Sequence, residues 1–599
     1  MGMFNKKKET TESAVISDKN LSSAEGTPAA HTPADTPRVA RSLNGSAPEH
    51  HDHSPEEVLD NLPATKLAVT LGAIASIGGF MFGYESGQIS GFVQMSDFLA
   101  RFGENGELSA VRQGTIVAIL CAGTLVGCLG SSYLCDKIGR RYTISSSAFF
   151  YIIGVIIEIT STTHWVQFAM GRFTAGLGIG ALSTSVPMYQ SESVPKNIRG
   201  AVVSSYQLLI TLGIWTAYMI NYGTHSTYTN SAQWRIPNGL SALWAIILGT
   251  AVLFMPESPR FAYRIGREDE ARKNMALLNG VDPYSPLIDA EILEIETKLA
   301  AEREGGDHPW YEIFTGPRML YRTLLGMVLQ AGQQLTGANF FFYYGTTIFK
   351  SGGISDSYVT SIILGSVNVV ATIGGLWIVK NCGRRKALMV GAAEMFICML
   401  IYSFVGHFKI QGQADAKAPG AVLICFTCIY IVGFATTWGP LVWAIVGELY
   451  PARYRASCMA LATASNWLFN FLISFFTTFI TNDIDYYYGL VFAGSLFALF
   501  WIVFFFVIET KDRSLEEIDT MYVLHVNPLT SASWDPKSLG SEGVNGVDTD
   551  GMFLTKGGKD IKKSEMAGRP MLEHDERMFP ETAPGGAAAH ENKPEIMNA

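Results

Sequence analysis

The side chains able to do chemistry in this sequence sit in surroundings that ought to hold none. Gln207, Gln330, Gln333, Gln334, Asn339, Asn368, Asn466 and Asn470 interrupt long apolar stretches, and so do an acid, Glu85, and a base, Arg172. A carboxamide offers donor and acceptor groups without a charge to desolvate. Several such groups around one cavity suit a solute ringed by hydroxyls better than they suit an ion or a phosphate. The apolar faces of such a solute want an aromatic partner; Trp443 and Trp467 are candidates, with Tyr343 and Tyr344 nearby. For an isolated Asn the commoner use is a bond between helices. For Gln333, Gln334 and Asn339 together, on a segment loosened by Gly332 and Gly337, a binding site is the better account.

Glu85 and Arg172 are a different chemistry. Intramembrane charge is costly and usually functional. A salt bridge between them is one use. The other is a proton site, with Glu85 alternating between an Arg-paired carboxylate and a neutral acid. Glu158 and Glu394 also fall in apolar runs, with no partner evident from their neighbours in sequence. Nothing points to catalysis: there is no Gly-rich nucleotide loop, no metal-ligand spacing and no nucleophile–base pair. We expect no enzyme, no cofactor and no metal; His51-Asp52-His53 is only a metal lookalike in a polar tail.

The elements that must position these groups are legible from composition. The chain of 599 residues is 48% hydrophobic and only 16% charged, against about 25% charged in an average soluble protein. The deficit lies between two polar ends. A membrane helix needs about 20 largely apolar residues. Such spans are expected at 68–92, 113–134, 142–160, 165–188, 200–221, 239–255, 320–345, 357–379, 387–405, 420–446, 457–480 and 488–508. At about 1.5 Å per residue, Gln207, Gln330, Asn368, Asn466 and Asn470 lie roughly 10–20 Å into their spans, and Gln333, Gln334 and Asn339 slightly further out than Gln330. All fall in the middle third of a core about 30 Å thick. Glu85 and Arg172 share a depth in the opposite, outer part, so they can pair. Trp438-Gly439-Pro440 lies within a span, where Gly and Pro permit a bend.

These spans organise the chain. The expected fold class is an all-α membrane protein of twelve helices in two pseudo-symmetric six-helix halves, 66–255 and 320–510. Residues 1–65 and 511–599 read as cytoplasmic tails, mostly disordered, and 256–319 as a cytoplasmic linker with short amphipathic helices near 268–278 and 289–301. MGMFNKKKETTES has no apolar signal-peptide core. Lys and Arg concentrate in the loops that lie inside when both tails are inside. The eight cysteines fall in spans or inner loops, so no disulfide is expected; the sequons at Asn20 and Asn44 are then not acceptors. The net charge of −9 argues against a nucleic-acid partner. The halves repeat. Asp136 to Arg141 matches Lys380 to Arg385, Glu192 with Arg199 matches Glu448 with Arg453 and Arg455, and Pro256-Glu257-Ser258-Pro259-Arg260 matches Ile508-Glu509-Thr510-Lys511. Basic loops alone would explain the Arg and Lys, but not acids at matched positions. Ion pairs among Asp136, Arg140, Arg141, Glu192 and Arg199, and among Arg384, Arg385, Glu448, Arg453 and Arg455, are expected to form an inner gate.

In combination these residues resemble the sugar porter family of the major facilitator superfamily, over about 66–520. The motifs that carry the likeness are Gly83-Tyr-Glu-Ser-Gly87, Asp136 to Arg141, Arg172 with Gly176, Gly178 and Gly180, Pro256 to Arg260, Gln333 to Asn339, and Trp438-Gly-Pro440. The chain is most similar to fungal hexose transporters. It departs from the family pattern at Glu85, usually Asp, at Lys380, usually an acid, and at Ile508 and Asp512, usually Pro and Gly. The resemblance implies alternating-access transport of a monosaccharide, glucose or a related hexose. It implies sugar contact by Gln207, Gln333, Gln334, Asn339, Asn368 and Trp443. Asn470 is added from its depth, and Tyr344 is placed equally well for an outer gate. Proton-coupled members keep an acid at Glu85, and some fungal facilitators do too, so symport and facilitated diffusion both stay open.

Two alternatives remain at this point: a porter-like glucose sensor, and a carrier of another polyhydroxylated solute such as a polyol, quinate or a disaccharide. The expected partners are a small sugar, with or without a proton, and the lipid bilayer. The expected location is the plasma membrane, with both termini cytoplasmic and a monomer as the working unit.

Overall fold

The structure is a computed structural model that describes residues 65–304, 311–316, 318–351, 357–410, 417–511, 513 and 515–534. The expectations placed on residues 1–64 and 535–599, on Asp512, and on the side chains of Lys380 and Arg453 lie outside the described residues. The start of the expected C-tail is ordered, with Leu515–Val523 a helix that buries Ile518, Met521 and Tyr522.

No strand occurs among the described residues. The helices are α1 (Lys66–Phe92), α2 (Ser96–Phe102), α3 (Ala110–Ile138), α4 (Arg140–Thr160), α5 (Trp165–Ser193), α6 (Lys196–Thr227) and α7 (Ala232–Leu253). Short helices follow: α8 (Pro259–Arg264), α9 (Glu268–Asn279), α10 (Pro286–Glu304) and α11 (Glu312–Thr315). Then come α12 (Met319–Leu335), α13 (Ala338–Ser351), α14 (Ser357–Asn381), α15 (Arg384–Val405), α16 (Lys417–Gly433), α17 (Gly439–Leu449), α18 (Ala452–Ile484), α19 (Tyr488–Phe506) and α20 (Leu515–Val523). Among the described residues nine stretches are long and apolar enough to cross a membrane, and the last, Ser457–Phe506, runs through both α18 and α19.

Helix α5 is absent from those nine because it is lined for close packing rather than for lipid. It carries Arg172, Gly171, Gly176, Gly178 and Gly180, all buried, and packs on α3, α4 and α1. A Cβ on Gly180 would stand 2.1 Å from the Thr124 carbonyl oxygen, and one on Gly176 2.3 Å from that of Leu120. Backbones this close are typical of helix pairs in lipid, where no hydrophobic drive brings helices together. Gly83 does the same for α1, facing the Ile210 carbonyl of α6.

The stretch expected as one span at 320–345 is two helices. Gly337, at φ +94°, breaks it between α12 and α13. Thr336 O accepts from Tyr430 Oη at 2.8 Å, so a carbonyl at the break stays satisfied, as apolar surroundings require. A π-helical turn at Phe434–Trp438 separates α16 from α17 and runs directly into Gly439-Pro440. Both irregularities fall beside the carboxamides.

Gly180→Val should abolish folded protein, since valine meets backbone rather than a movable side chain. Gly223→Ala, on α6 with nothing within 4 Å of the new carbon, should behave as wild type. Fluorescence-detected size exclusion of tagged variants reads both.

Candidate functional site

The carboxamides of α12, α13 and α18 form one hydrogen-bonded network. Gln333 Nε2 donates to Trp438 O at 3.1 Å and Gly439 O at 2.9 Å, where the π turn enters α17. Asn466 Nδ2 donates to Gln333 Oε1 at 2.7 Å and to Gln330 Oε1 at 2.8 Å. Gln334 Nε2 donates to Asn466 Oδ1 at 2.9 Å, and Asn339 Nδ2 to Gln334 Oε1 at 2.5 Å. Asn466 is therefore the hub, although its depth alone had not marked it out from its neighbours. The network spans the helix break, so its amides hold the broken segment in register.

Three other expected residues are placed differently. The side-chain amides of Gln207, half-buried on α6, and Asn368, buried on α14, make no hydrogen bond among the described residues. Trp443 on α17 is 36% exposed. Helix α14 packs against α6 and against α17 with its π turn, so the helices bearing these residues are neighbours. Trp215 Nε1 ties α6 to Ser366 Oγ of α14 at 2.9 Å.

Asn470 and Tyr344 belong to a separate set of contacts. Asn470 Oδ1 accepts from Ser474 Oγ at 3.2 Å and faces the Cys121 thiol of α3 at 3.5 Å. Tyr344 Oη donates to Ser474 O at 2.5 Å. Nearby, Tyr218 Oη donates to Phe342 O and Tyr358 Oη to Gly91 O, both across from 66–255 to 320–510. Trp467 stacks edge-on against Phe82, with ring centroids 5.3 Å apart.

Glu85 and Arg172 pair, Nη1 to Oε1 at 2.9 Å, with both side chains buried. Two more donors converge on Glu85 Oε2: Gln88 Nε2 at 2.7 Å and Tyr151 Oη at 2.6 Å. Glu158 has a partner that sequence proximity did not reveal, Asn238 Nδ2 of α7 at 3.0 Å. Glu394 faces Cys398 Sγ at 3.5 Å, on its own helix.

At the far end of the helices, the repeated motifs form matching arrangements. Arg140 pairs with Glu192, Nε to Oε2 at 2.8 Å, and Arg384 with Glu448 at 3.4 Å. Asp136 pairs with Arg264 at 2.7 Å, and with Arg140 at 3.8 Å. The guanidinium groups of Arg141, Arg199, Arg385 and Arg455 reach carbonyls instead: Met255 O, Val194 O, Phe504 O and Tyr450 O. Val194 and Tyr450 end α5 and α17, where orphan carbonyls want donors. The carboxylates of Glu257 and Glu509 are residues the gate expectation omitted. Glu257 accepts from the backbone N–H of Arg140 at 3.0 Å, Arg141 at 3.2 Å and Ser258 at 2.8 Å. Glu509 accepts from those of Arg384 at 2.7 Å, Arg385 at 3.2 Å and Lys511 at 3.2 Å. Each carboxylate caps the helix that opens with Arg-Arg. Gly139 and Gly383 precede those helices because a Cβ on either would stand 2.5 Å from the capping oxygen. A pocket at this end is bordered by Arg199, Arg260, Asn279, Glu291 and Glu294; none of the carboxamides expected to contact a solute lines it.

Burial pushes the Glu257 carboxyl up, and the N–H groups of Ser258, Arg141 and Arg140 pull it partly back. The folded state thus binds this proton more tightly than the unfolded chain. Its contribution to stability is greatest in acid and falls as pH rises from the ordinary Glu range through the raised value. Glu257→Gln should flatten that part of the melting profile against pH, and Glu257→Ala should cost about 1–2 kcal/mol as a lost cap. Thermal melts of purified protein across pH measure both.

Residues 71–522 match the family model described as sugar (and other) transporter. The chain is 46% identical over 473 residues to the galactose transporter of Saccharomyces cerevisiae, covering 77% of this chain and 82% of that one. It is 46% identical to hexose transporter 2 of Kluyveromyces lactis, covering 79% and 85%. Its fold is similar to that of the xylose transporter XylE from E. coli in a partially occluded inward-open conformation, with a TM-score of 0.64 at 23% identity, covering 75% of this chain and all of that one. This chain belongs to the sugar transporter family of membrane proteins.

Proposed function

We propose that this chain carries a hexose across the plasma membrane by alternating access between two pseudo-symmetric six-helix halves, 66–255 and 320–510. The observation that carries the reading is the arrangement of neutral amides and one open indole on adjoining helices. Gln207, Asn368 and the free Oδ1 of Asn339 offer unspent hydrogen-bonding groups, and Trp443 offers an apolar face. A hexose needs both kinds of surface and no charge. Gln333, Gln334, Asn466 and Gln330 hold the broken segment that presents Asn339, with Gln333 and Gln334 exchanging partners when sugar enters. Asn470 and Tyr344 close the end opposite the arginine motifs. The transport of galactose and hexoses named for the relatives supports this substrate class.

Twelve spans follow from the nine apolar stretches when Ser457–Phe506 is divided into α18 and α19, α12–α13 is counted as one broken span, and the glycine-rich α5 is added. The two capped Arg-Arg helix starts, with their Arg140–Glu192 and Arg384–Glu448 pairs, support the pseudo-symmetry and the inner gate. The motif end is cytoplasmic, with both tails and the linker 256–319. The working unit is a monomer in lipid.

Asn339→Ala and Asn368→Ala should each weaken sugar affinity by about fivefold, the value of one net hydrogen bond of about 1 kcal/mol, with normal amounts at the membrane. Gln333→Ala should lose folded protein as well, because it leaves Asn466 and the π turn bare. Uptake of labelled glucose in cells lacking their own hexose carriers measures this. Sugar binding without uptake in the wild type would instead establish a sensor.

Glu85, with Arg172, is the site of proton coupling in this reading. Glu85→Gln should abolish accumulation against a gradient and sugar-induced alkalinisation while sparing downhill exchange. Uptake by wild type that ignores uncouplers and moves no proton would make the chain a facilitator, with the pair a scaffold.

A further inference from the structure

The transport scheme leaves one buried acid without a task. Glu158, on α4, is fully buried. Its Cγ lies 2.6 Å from where a Cβ on Gly171 would stand, so the carboxyl hangs beside the residue that precedes Arg172. Its Oε2 accepts from Asn238 Nδ2 at 3.0 Å. Its Oε1 and the Asn238 Oδ1 are both buried acceptors that no donor reaches.

The cations on the helices around it are engaged elsewhere. Arg172 of α5 is on Glu85 at 2.9 Å. Arg235 of α7 is turned to Ser161 O at 3.0 Å and Ser231 Oγ at 3.2 Å. Tyr151, two turns earlier on α4, donates to Glu85. Helix α7 otherwise faces it with the neutral Asn238 and Ser241, and α1 contributes Glu85.

The two acids are therefore unequal. Glu85 gathers three donors, one of them a guanidinium, as an ionised carboxylate requires. Glu158 has one neutral amide, which does not sustain a buried charge. A proton on Glu158 supplies a donor at the end of the cluster where Glu158 Oε1 and Asn238 Oδ1 have none. With Glu158 neutral, Arg172 and Glu85 sum to zero charge. With both acids ionised, a net negative charge would stand in a medium that does not solvate it.

We propose that Glu158 is a second proton-binding site of this chain: it holds a proton while Glu85 balances Arg172, and becomes the counter-ion of Arg172 when Glu85 is neutralised. In that exchange the O–H bond of Glu158 breaks as an O–H bond forms on Glu85. The cluster keeps one proton, one carboxylate and one guanidinium throughout. The assignment rests on burial and charge pairing, not on the transport reading, and its test needs no sugar.

Infrared spectra of the purified full-length protein in lipid nanodiscs at neutral pH should contain a protonated carboxylic-acid carbonyl band. Glu158→Gln, which copies the neutral acid, should remove one component of that band, read as the difference spectrum against wild type, and melt as wild type does. Glu85→Gln should also remove it, because Glu158 ionises to face Arg172, and should still fold. The double variant leaves Arg172 unbalanced, so its melting point should fall by more than the two single shifts together. The proposal is overturned if Glu158→Gln leaves the band unchanged, if the component lost in Glu158→Gln persists in Glu85→Gln, or if the melting shifts add. Failure of Glu85→Gln to fold overturns it equally, since Glu158 would then be no substitute. Sugar uptake by the same variants is a separate measurement, and its loss with the infrared result intact would count against the transport reading alone.

Discussion

Polar groups enclosed by hydrocarbon have only each other, and that constraint shapes every functional part of this chain. An unsatisfied buried amide or hydroxyl costs several kcal/mol where water cannot reach it. Each polar side chain inside the helices must therefore either be paired or face a space that a solute or water can enter. The network centred on Asn466 takes the first course and holds the α12–α13 break. Among the described residues the side chains of Gln207 and Asn368 make no hydrogen bond, and the proposed sugar contact gives them the second course. The same constraint makes Glu85 gather three donors around its carboxylate. The division between scaffold amides and available amides thus follows from a count of partners rather than from residue type.

Helix ends obey the same accounting. The first N–H groups and last carbonyls of a helix have no partner within it. Here the acids of the closing motifs, Glu257 and Glu509, return along the chain to cap α4 and α15, at sequence separations of 117 and 125 residues from the first N–H they accept. Arg199 and Arg455 cover the carbonyls that end α5 and α17. Residues that read in sequence as a charge cluster are in large part backbone caps. Their long-range reach fixes the first and last helices of each group of motifs to one another.

How much of this was legible in the sequence depends on whether the deciding partner was near in the chain. Most of the long apolar helices were legible, because a long apolar run reports its own environment. So was the Glu85–Arg172 pair, because depth along two spans can be counted from their ends. The break at Gly337 was only half legible: glycines marked a loosened helix, but the partner that stabilises the break, Tyr430, lies 94 residues away. Asn466 was read as one amide among several, and nothing in a single sequence says which of them becomes the hub. Glu158 looked solitary because Asn238 is 80 residues downstream. Helix rotation decides such pairs, and periodicity is weak in helices that are apolar on all sides.

The placement of charge bears on how the two groups of helices can move past one another. The ion pairs Arg172–Glu85, Arg140–Glu192, Arg384–Glu448 and Arg322–Asp519 each join elements on the same side of the linker 256–319. Among the described residues, bonds that cross between 66–255 and 320–510 are made by neutral groups, among them Tyr218 to Phe342 O, Tyr358 to Gly91 O, Trp215 to Ser366 and Gln94 to Thr347. Separating a buried ion pair costs about 3–5 kcal/mol, because it strands a charge. Exchanging a neutral hydrogen bond costs about 1 kcal/mol net, and less where water replaces the partner. Among the described residues these ion pairs stay within each side and neutral bonds lie at the seam, the arrangement that the proposed rocking of the two halves calls for. In the rocking proposed for the two halves, none of these four ion pairs has to break.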